Sequence, residues 1–291
     1  LHEARRKYFP ITPTFVAVAH QHPNNSQIWW RAMTPSVASH HWLLGPKRNA
    51  MHYKRHNAIA PDTYEVVLGL KHAEPMIETA VNDLAARGFQ HIIGLVLAPH
   101  YSSFSIGQYM GRARTAAEPH GMTVASIDSW ATEPAFVEFL ATDLRARLSA
   151  MPTNTKVLFT AHSLPQRIID AGDPYPNELR STAEAVAAAA GLDSWSSWSI
   201  AWQSAGRTPE PWIGPDILAV IDDLAESENA SGVIVCACGF VADHLEVLFD
   251  LDIEAKQHAE AKGLAFDRTN CVNDDASIMH ALAQRVVSAQ S

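Results

Sequence analysis

The run Lys156–Ala161 (KVLFTA) ends in His162, followed by Ser163, Leu164 and Pro165. A histidine at a strand end offers a neutral nitrogen lone pair near physiological pH, the property needed in a proton acceptor or a transition-metal ligand. A second set follows the apolar run Gly232–Ala237 (GVIVCA) and comprises Asp243, Glu246, Asp250 and Glu254. On a helix, Glu246, Asp250 and Glu254 recur every four residues along one face, with Asp243 one turn earlier. Like charges at that spacing repel, so the row costs stability unless cations offset it. It has the character of a path for a metal ion or for protons; a solvated helix face is the plainer alternative.

Two loops could line a ligand site. Pro99-His100-Tyr101-Ser102-Ser103-Phe104-Ser105, followed by Gln108, Tyr109 and Arg112, offers hydroxyls and aromatic rings suited to an aromatic ligand with anionic groups. Trp202-Gln203-Ser204 and Thr208 to Pro215 (TPEPWIGP) form a proline-fixed aromatic segment able to wall a flat apolar cavity. Packing explains either loop equally well. Cys236-x-Cys238 supplies at most two of the four ligands a metal cluster needs, and reads better as buried apolar packing. There is no GxGxxG, GxxxxGK[ST], HExxH or GxSxG, which argues against dinucleotide enzymes, P-loop enzymes, zincins and serine hydrolases.

The elements that must position these residues alternate from Pro61 onward. Tyr64–Leu70 and His91–Pro99 read as strands around an amphipathic helix, Glu74–Arg87, a βαβ unit that implies a parallel sheet. Helix Ser105–Glu118, strand Met122–Ile127, helix Glu133–Ala150 and strand Lys156–Ala161 follow. Helix Asn177–Ala190, strand Trp198–Gln203, helix Asp216–Ser227 and strand Gly232–Ala237 continue the pattern, and helices at about 242–262 and Asp275–Ala289 close it. In such sheets ligands bind beyond the carboxyl ends of the strands, where His162 and the 239–246 loop fall.

The chain has 291 residues, 47% of them apolar, with net charge −9 and three cysteines, Cys236, Cys238 and Cys271. It is too apolar for wholesale disorder, has too few cysteines for a disulfide scaffold, and has no apolar run near the roughly 18 residues of a membrane span. A soluble cytoplasmic monomer without a signal peptide is expected. Residues 1–60 hold eight Lys/Arg and one acid, a balance of +7 that leaves −16 on the rest. No acid occurs between Ala4 and Pro61, and residues 9–57 show no sustained period. A basic aromatic surface for nucleic acid or an anionic membrane is one explanation, but no RNP, helix-turn-helix or amphipathic pattern supports it, so no nucleic-acid partner is expected.

From Tyr64 to its end the chain resembles the ferrochelatases, in particular the soluble bacterial enzymes that insert ferrous iron into coproporphyrin III. GLKHAEP (69–75), VLAPHYSSFS (96–105), FTAHSLP (159–165), GDPYP (172–176), WQSAGRTPEPWIGPD (202–216) and GFVADHLEVLFDLDIEAK (239–256) carry the likeness, in that order. The resemblance implies an α/β fold of two Rossmann-like lobes, each a four-stranded parallel sheet flanked by helices, around a porphyrin cleft. The lobes would occupy 1–120 and 121–270, with 271–291 a helix returning to the first. It implies His162 as metal-binding histidine and acceptor of pyrrole protons, faced by Glu246 across the cleft. Asp250 and Glu254, on a locally widened helix, would continue the row as an outer metal or proton site. Tyr109 would contact the porphyrin, and Lys71 and His72 would lie near the cleft. Iron and porphyrin are then substrates, no tightly bound cofactor is required, and a [2Fe-2S] cluster, found in some relatives on four cysteines, is not expected.

The front departs from that pattern. Only Arg6-Lys7-Tyr8 resembles the end of the family's opening region, giving Lys7 and Tyr8 as porphyrin contacts; the strand before it and the glycine-rich loop after it are missing. The first lobe is therefore expected to be incomplete and the chain truncated, with 9–57 either a divergent insertion or an out-of-register reading of the gene. Two other functions remain open: a catalytically silent tetrapyrrole-binding protein, and a cobalt or nickel sirohydrochlorin chelatase, against which the Glu246 motif speaks.

Overall fold

The computed structural model describes residues 15–20, 64–192 and 196–289, and the side chain of His20 is not among what it describes. The first sheet holds β1 (Phe15–His20), β2 (Tyr64–Gly69), β3 (His91–Val96) and β4 (Thr123–Ile127) in the order β2-β1-β3-β4. The expected βαβ unit is present, since β2 and β3 run the same way on either side of helix α1 (Ile77–Ala86). The all-parallel sheet is not. β1 lies between them antiparallel to both, with Val18 opposite Val66 on one side and Ile93 on the other, and only β3 and β4 pair in parallel.

A strand thus lies inside the stretch 9–57, which shows no sustained period. Its sequence FVAVAH gave no signal because Phe15 to Ala19 are all buried, and a strand covered on both faces has no apolar-polar alternation. Its direction was invisible for another reason: pairing sense depends on the path of the connection, not on residue type. α1 and α2 (Ile106–Ala117) bury Ile77, Ala80, Val81 and Leu84, and Ile106, Tyr109, Met110 and Ala113, against one face of this sheet.

The second sheet is wholly parallel, in the order β6-β5-β7-β8, from β5 (Thr155–His162), β6 (Trp198–Gln203), β7 (Gly232–Cys236) and β8 (Ala265–Arg268). Its helices are α3 (Pro134–Ala150), α4 (Gln166–Asp170), α5 (Tyr175–Ala190), α6 (Ile217–Glu226) and a composite α7. α7 runs Leu245–Phe249 as α-helix, Asp250–Ala255 as π-helix and Lys256–Ala261 as α-helix, the widened turn that the resemblance implied. The Asp216 side chain caps α6 through the Leu218 amide, and Asp275 caps α8 (Ala276–Ser288) through those of Ser277 and Ile278. α8 packs on α3, and its Ile278, Leu282 and Val286 share one apolar core with Val16, Val18 and Leu95 of the first sheet and Val157 and Phe159 of the second. The short strand β8 (AFDR), half-buried throughout, and α4 escaped the sequence reading for want of any period.

Candidate metallation site

The second sheet's own path marks where a ligand should bind. From β5 the chain moves outward through α4 and α5 to β6; after α6 it crosses to the other flank of β5 for β7, and α7 leads further out to β8. Strand order therefore reverses between β5 and β7, and in such sheets ligands bind beyond the carboxyl ends at that point. His162 is the last residue of β5, and the 239–244 loop that leads to Glu246 follows β7.

His162 is locked in ring orientation and tautomer. Its Nδ1–H donates to the carbonyl of Ser163 at 2.5 Å, so the Nε2 lone pair faces outward, 3.8 Å from Glu246 Oε1. Both side chains are partly exposed, at 29% and 20%, enough for a reactant to reach them. Burial pulls the His162 pKa below its ordinary value, against the opposing pull of the Ser163 carbonyl and the Asp250 charge, so the imidazole is neutral at pH 7. The hydroxyl of Tyr175 donates to the His162 carbonyl at 3.2 Å, and the Ser163 amide donates to the Gln203 carbonyl at 2.8 Å, fixing the loop against β6.

Gly239 permits the meeting of the two strand ends. A Cβ there would stand 2.4 Å from the Cβ and 2.6 Å from the Cα of Ala161, well inside contact, while the Gly239 amide donates to the Thr160 carbonyl at 2.9 Å. Only glycine lets the loop lie this close to β5, and so lets α7 start with Glu246 facing His162. Asp250, 5% exposed, accepts from the Ser204 hydroxyl at 2.5 Å, and Glu254 is half-buried one turn on.

The sequence reading passed over His244. Burial, aided by the neighbouring His162 and opposed by Asp243, lowers its pKa to about 4, and its ring lies edge-on to Phe240 at 5.4 Å. The signal available was its place in Asp-His-x-Glu, two residues before Glu246. The Trp-rich segment divides. Trp202 is core, its ring tilted by 37° to that of Tyr175 at 5.6 Å, whereas Trp212 is half-buried with its ring 6.4 Å from that of His162. Gly206 passes beneath Trp212, since a Cβ at 206 would meet its ring at 2.3 Å, and Trp212 Nε1 donates to the Thr208 hydroxyl.

The serine loop after β3 has structural work. One carboxylate oxygen of Asp173, in GDPYP, accepts from the Ser103 amide and from the Ser102 and Ser103 hydroxyls at 2.6–3.1 Å; the other accepts from the Tyr175 amide. Two of the likeness motifs are thereby each other's partners, joining the first sheet's loop to the second sheet's helix. His100 is 2% exposed; because Thr182 donates its hydroxyl hydrogen to the Ala131 carbonyl, His100 Nε2–H must donate to Thr182. Its Nδ1 is left buried without a partner, and burial drops the pKa to about 3.

Of the remaining expected residues, Tyr109 is 1% exposed and packs in the first core, with the Lys71 ammonium 5.7 Å from its ring. Arg112 grips Glu78 with two bonds of 2.6 Å and donates to the Lys71 carbonyl, which fixes the Lys71-His72 loop. Burial and Arg112 lower the Lys71 pKa. Lys7 and Tyr8 lie outside the described residues. Cys236, Cys238 and Cys271 are buried free thiols, and among the described residues no three His, Cys, Asp or Glu side chains converge as a metal cage. No helix among them is long and apolar enough to cross a membrane.

Two α/β sheets, with a neutral imidazole and a carboxylate facing each other at the switch point of the second, define a chelatase-type protein. A solved structure described as SirB from Bacillus subtilis with Fe3+ has the same fold, with TM-score 0.51 at 14% identity over 75% of this chain and 78% of that one. Residues 49–290 match the ferrochelatase family model, and the chain belongs to the ferrochelatase family. The coproporphyrin III ferrochelatase of Geobacillus kaustophilus is 44% identical over 229 residues, which cover 77% of this chain and 72% of that protein. Coproporphyrin III ferrochelatase 1 of Bacillus anthracis is 40% identical over 240 residues, 80% of this chain and 76% of that one.

Proposed function

We propose that this chain inserts Fe2+ into coproporphyrin III with release of two protons, in haem biosynthesis. The observation that carries the reaction to particular atoms is the facing of His162 Nε2 and Glu246 Oε1 at 3.8 Å, in a family member 44% identical to a coproporphyrin III ferrochelatase. His162 takes a pyrrole proton on Nε2, and Glu246 stabilises the resulting imidazolium and accepts the proton in turn. A histidine held below its ordinary pKa returns that proton readily, and Asp250 and Glu254 continue the row along α7. The entering metal exchanges water for the carboxylate oxygens along α7 and for Nε2 before it passes to the macrocycle, and Nε2, with its one lone pair, takes the proton once the metal has left it. Trp212, 6.4 Å from the His162 ring, would wall the porphyrin beside it, and Lys71, whose ammonium donates to Gln108 near the Phe104 ring, would serve as a counter-charge for substrate carboxylates.

The test is anaerobic Fe2+ insertion, or Zn2+ insertion in air, followed by absorbance with coproporphyrin III and with protoporphyrin IX. Faster turnover of coproporphyrin III, abolished in His162→Ala, is the expected result. Binding without metallation would instead mark a silent tetrapyrrole-binding protein, and equal rates in His162→Ala would remove the site assignment.

A further inference from the structure

The guanidinium of Arg268, at the carboxyl end of β8, is 15% exposed and uses all three nitrogens. Nε and Nη2 hold the two carboxylate oxygens of Asp252 at 2.5 and 2.9 Å. Nη2 also lies 3.1 Å from Asp243 Oδ1, and Nη1 donates to the Thr269 carbonyl at 3.1 Å. Asp252 belongs to the π-helical segment of α7, and Asp243 to the loop that leads into that helix. One cation therefore ties the approach to α7 to its widened turn, and Glu246 and Asp250 lie between the two tied points. A second anchor holds the approach alone. Asn273, in the left-handed region at φ 47°, exchanges bonds with the Asp243 amide (3.1 Å) and carboxylate (2.8 Å), and its amide donates to the Val241 carbonyl (2.7 Å).

We infer that Arg268 is a positioning residue for metallation, setting the rotation of Glu246 and Asp250 toward His162 through its hold on Asp243 and Asp252. The physical reason lies in the π segment. Its wider turn departs from the helix geometry the chain ordinarily takes, and such segments persist where surrounding contacts fix them. Asp252 sits inside that segment and is gripped by a forked, directional pair, which fixes rotation about the helix axis as well as distance. Without the fork, α7 is free to rewind toward regular α-helix, which turns Asp250 and the Leu245–Phe249 segment that carries Glu246 about the axis relative to Lys256–Ala261. The stated role of Glu246 and His162 underlies this inference, so the test measures both.

Insertion of Zn2+ and Fe2+ is measured in wild type, Arg268→Gln, Arg268→Lys, Asp252→Asn, the Arg268→Gln/Asp252→Asn pair, Arg147→Gln and Glu246→Gln, each below its own unfolding temperature. Arg147 is the stability control: it joins α3 to Asp267 and Asn270 beside Arg268 and, among the described residues, makes no hydrogen bond or ion pair to α7. Arg268→Gln is expected to lower kcat by about 10²-fold, the scale of an ångström-level misplacement of a reacting group, with the porphyrin KM within about twofold of wild type and the metal KM raised. Arg268→Lys, which keeps the charge and loses the fork, should fall between. The double variant should be no slower than Arg268→Gln alone, because the contact that Asp252→Asn breaks is already lost in Arg268→Gln. Additive losses in the double variant, or a kcat loss in Arg147→Gln equal to that in Arg268→Gln, would overturn the positioning role. Wild-type kcat in Arg268→Gln alongside a crippled Glu246→Gln would overturn it while leaving the site intact; wild-type rates in Glu246→Gln would overturn the site itself.

Discussion

Acidification should destabilise this protein through histidines it buries uncharged, and His100 isolates the effect. In the folded chain the His100 pKa is about 3 and that of His244 about 4, both lowered chiefly by burial, against about 6.5 in an unfolded chain. The unfolded state thus binds protons that the folded state refuses. The stabilisation is complete above the unfolded value and is lost as pH falls from about 6.5 toward the folded values. Between pH 7 and pH 5 each such histidine protonates in the unfolded chain alone, a loss of about 2 kcal/mol apiece, so about 4 kcal/mol for the two. That is a large share of the 5–15 kcal/mol typical of a folded domain. His100→Gln keeps a donor for Thr182 and removes the titration. Urea unfolding followed by tryptophan fluorescence at pH 7 and pH 5 would then show a pH-dependent loss smaller by about 2 kcal/mol in His100→Gln than in wild type. Carboxylates common to both proteins cancel in that difference. Equal pH dependence in the two would refute the claim that His100 is buried neutral with Nδ1 bare.

Three further outcomes are open to measurement. His162→Ala should lower kcat for insertion by about 10²- to 10⁴-fold with the porphyrin still bound, and the acid limb of the wild-type profile should have its midpoint below the ordinary histidine value, because burial holds His162 neutral; a midpoint above about 6.5 would contradict this. Gly239→Ala should leave the fold but drive the 239–244 loop off Ala161, with a kcat loss of at least about tenfold, which stopped-flow absorbance would read; an unchanged rate would mean the loop has room the structure denies. Asp173→Ala strips partners from the Ser103 amide and two hydroxyls, so thermal unfolding should register a loss of about 2–4 kcal/mol, and limited proteolysis should open the 99–105 loop first.

What the sequence revealed and what it hid divide along physical lines. The second sheet was readable because its strands are apolar runs separated by amphipathic helices, and a histidine at one strand end and an acidic row after another are local patterns. β1 was hidden because burial on both faces erases alternation, and β8 because four half-buried residues have no period to show. Tertiary partnerships were hidden altogether. Nothing in YSSFS announces that its hydroxyls belong to Asp173, some 70 residues on, and nothing separates Trp202, which fills the core, from Trp212, which faces His162. In the sequence Gly239 is one more glycine after a strand; only the fold puts Ala161 beneath it.

Why the chemistry falls to this site follows from its proton balance. In the proposed reaction every turnover delivers two protons into a site whose first acceptor is one imidazole. A histidine stabilised as imidazolium would hold the first proton and leave the second without a base. Burial of His162 works the other way, keeping the ring neutral and its affinity for a proton weak, while Ser163 prevents the ring from turning its lone pair away from Glu246. The carboxylate then has to stand close and at a set rotation. That requirement explains why the loop before it is pressed onto β5 at Gly239, tied at Asn273 and gripped at Arg268. Loosening any of these three should slow proton removal more than it weakens porphyrin binding, since Trp212, the wall proposed for the porphyrin, rests on another element.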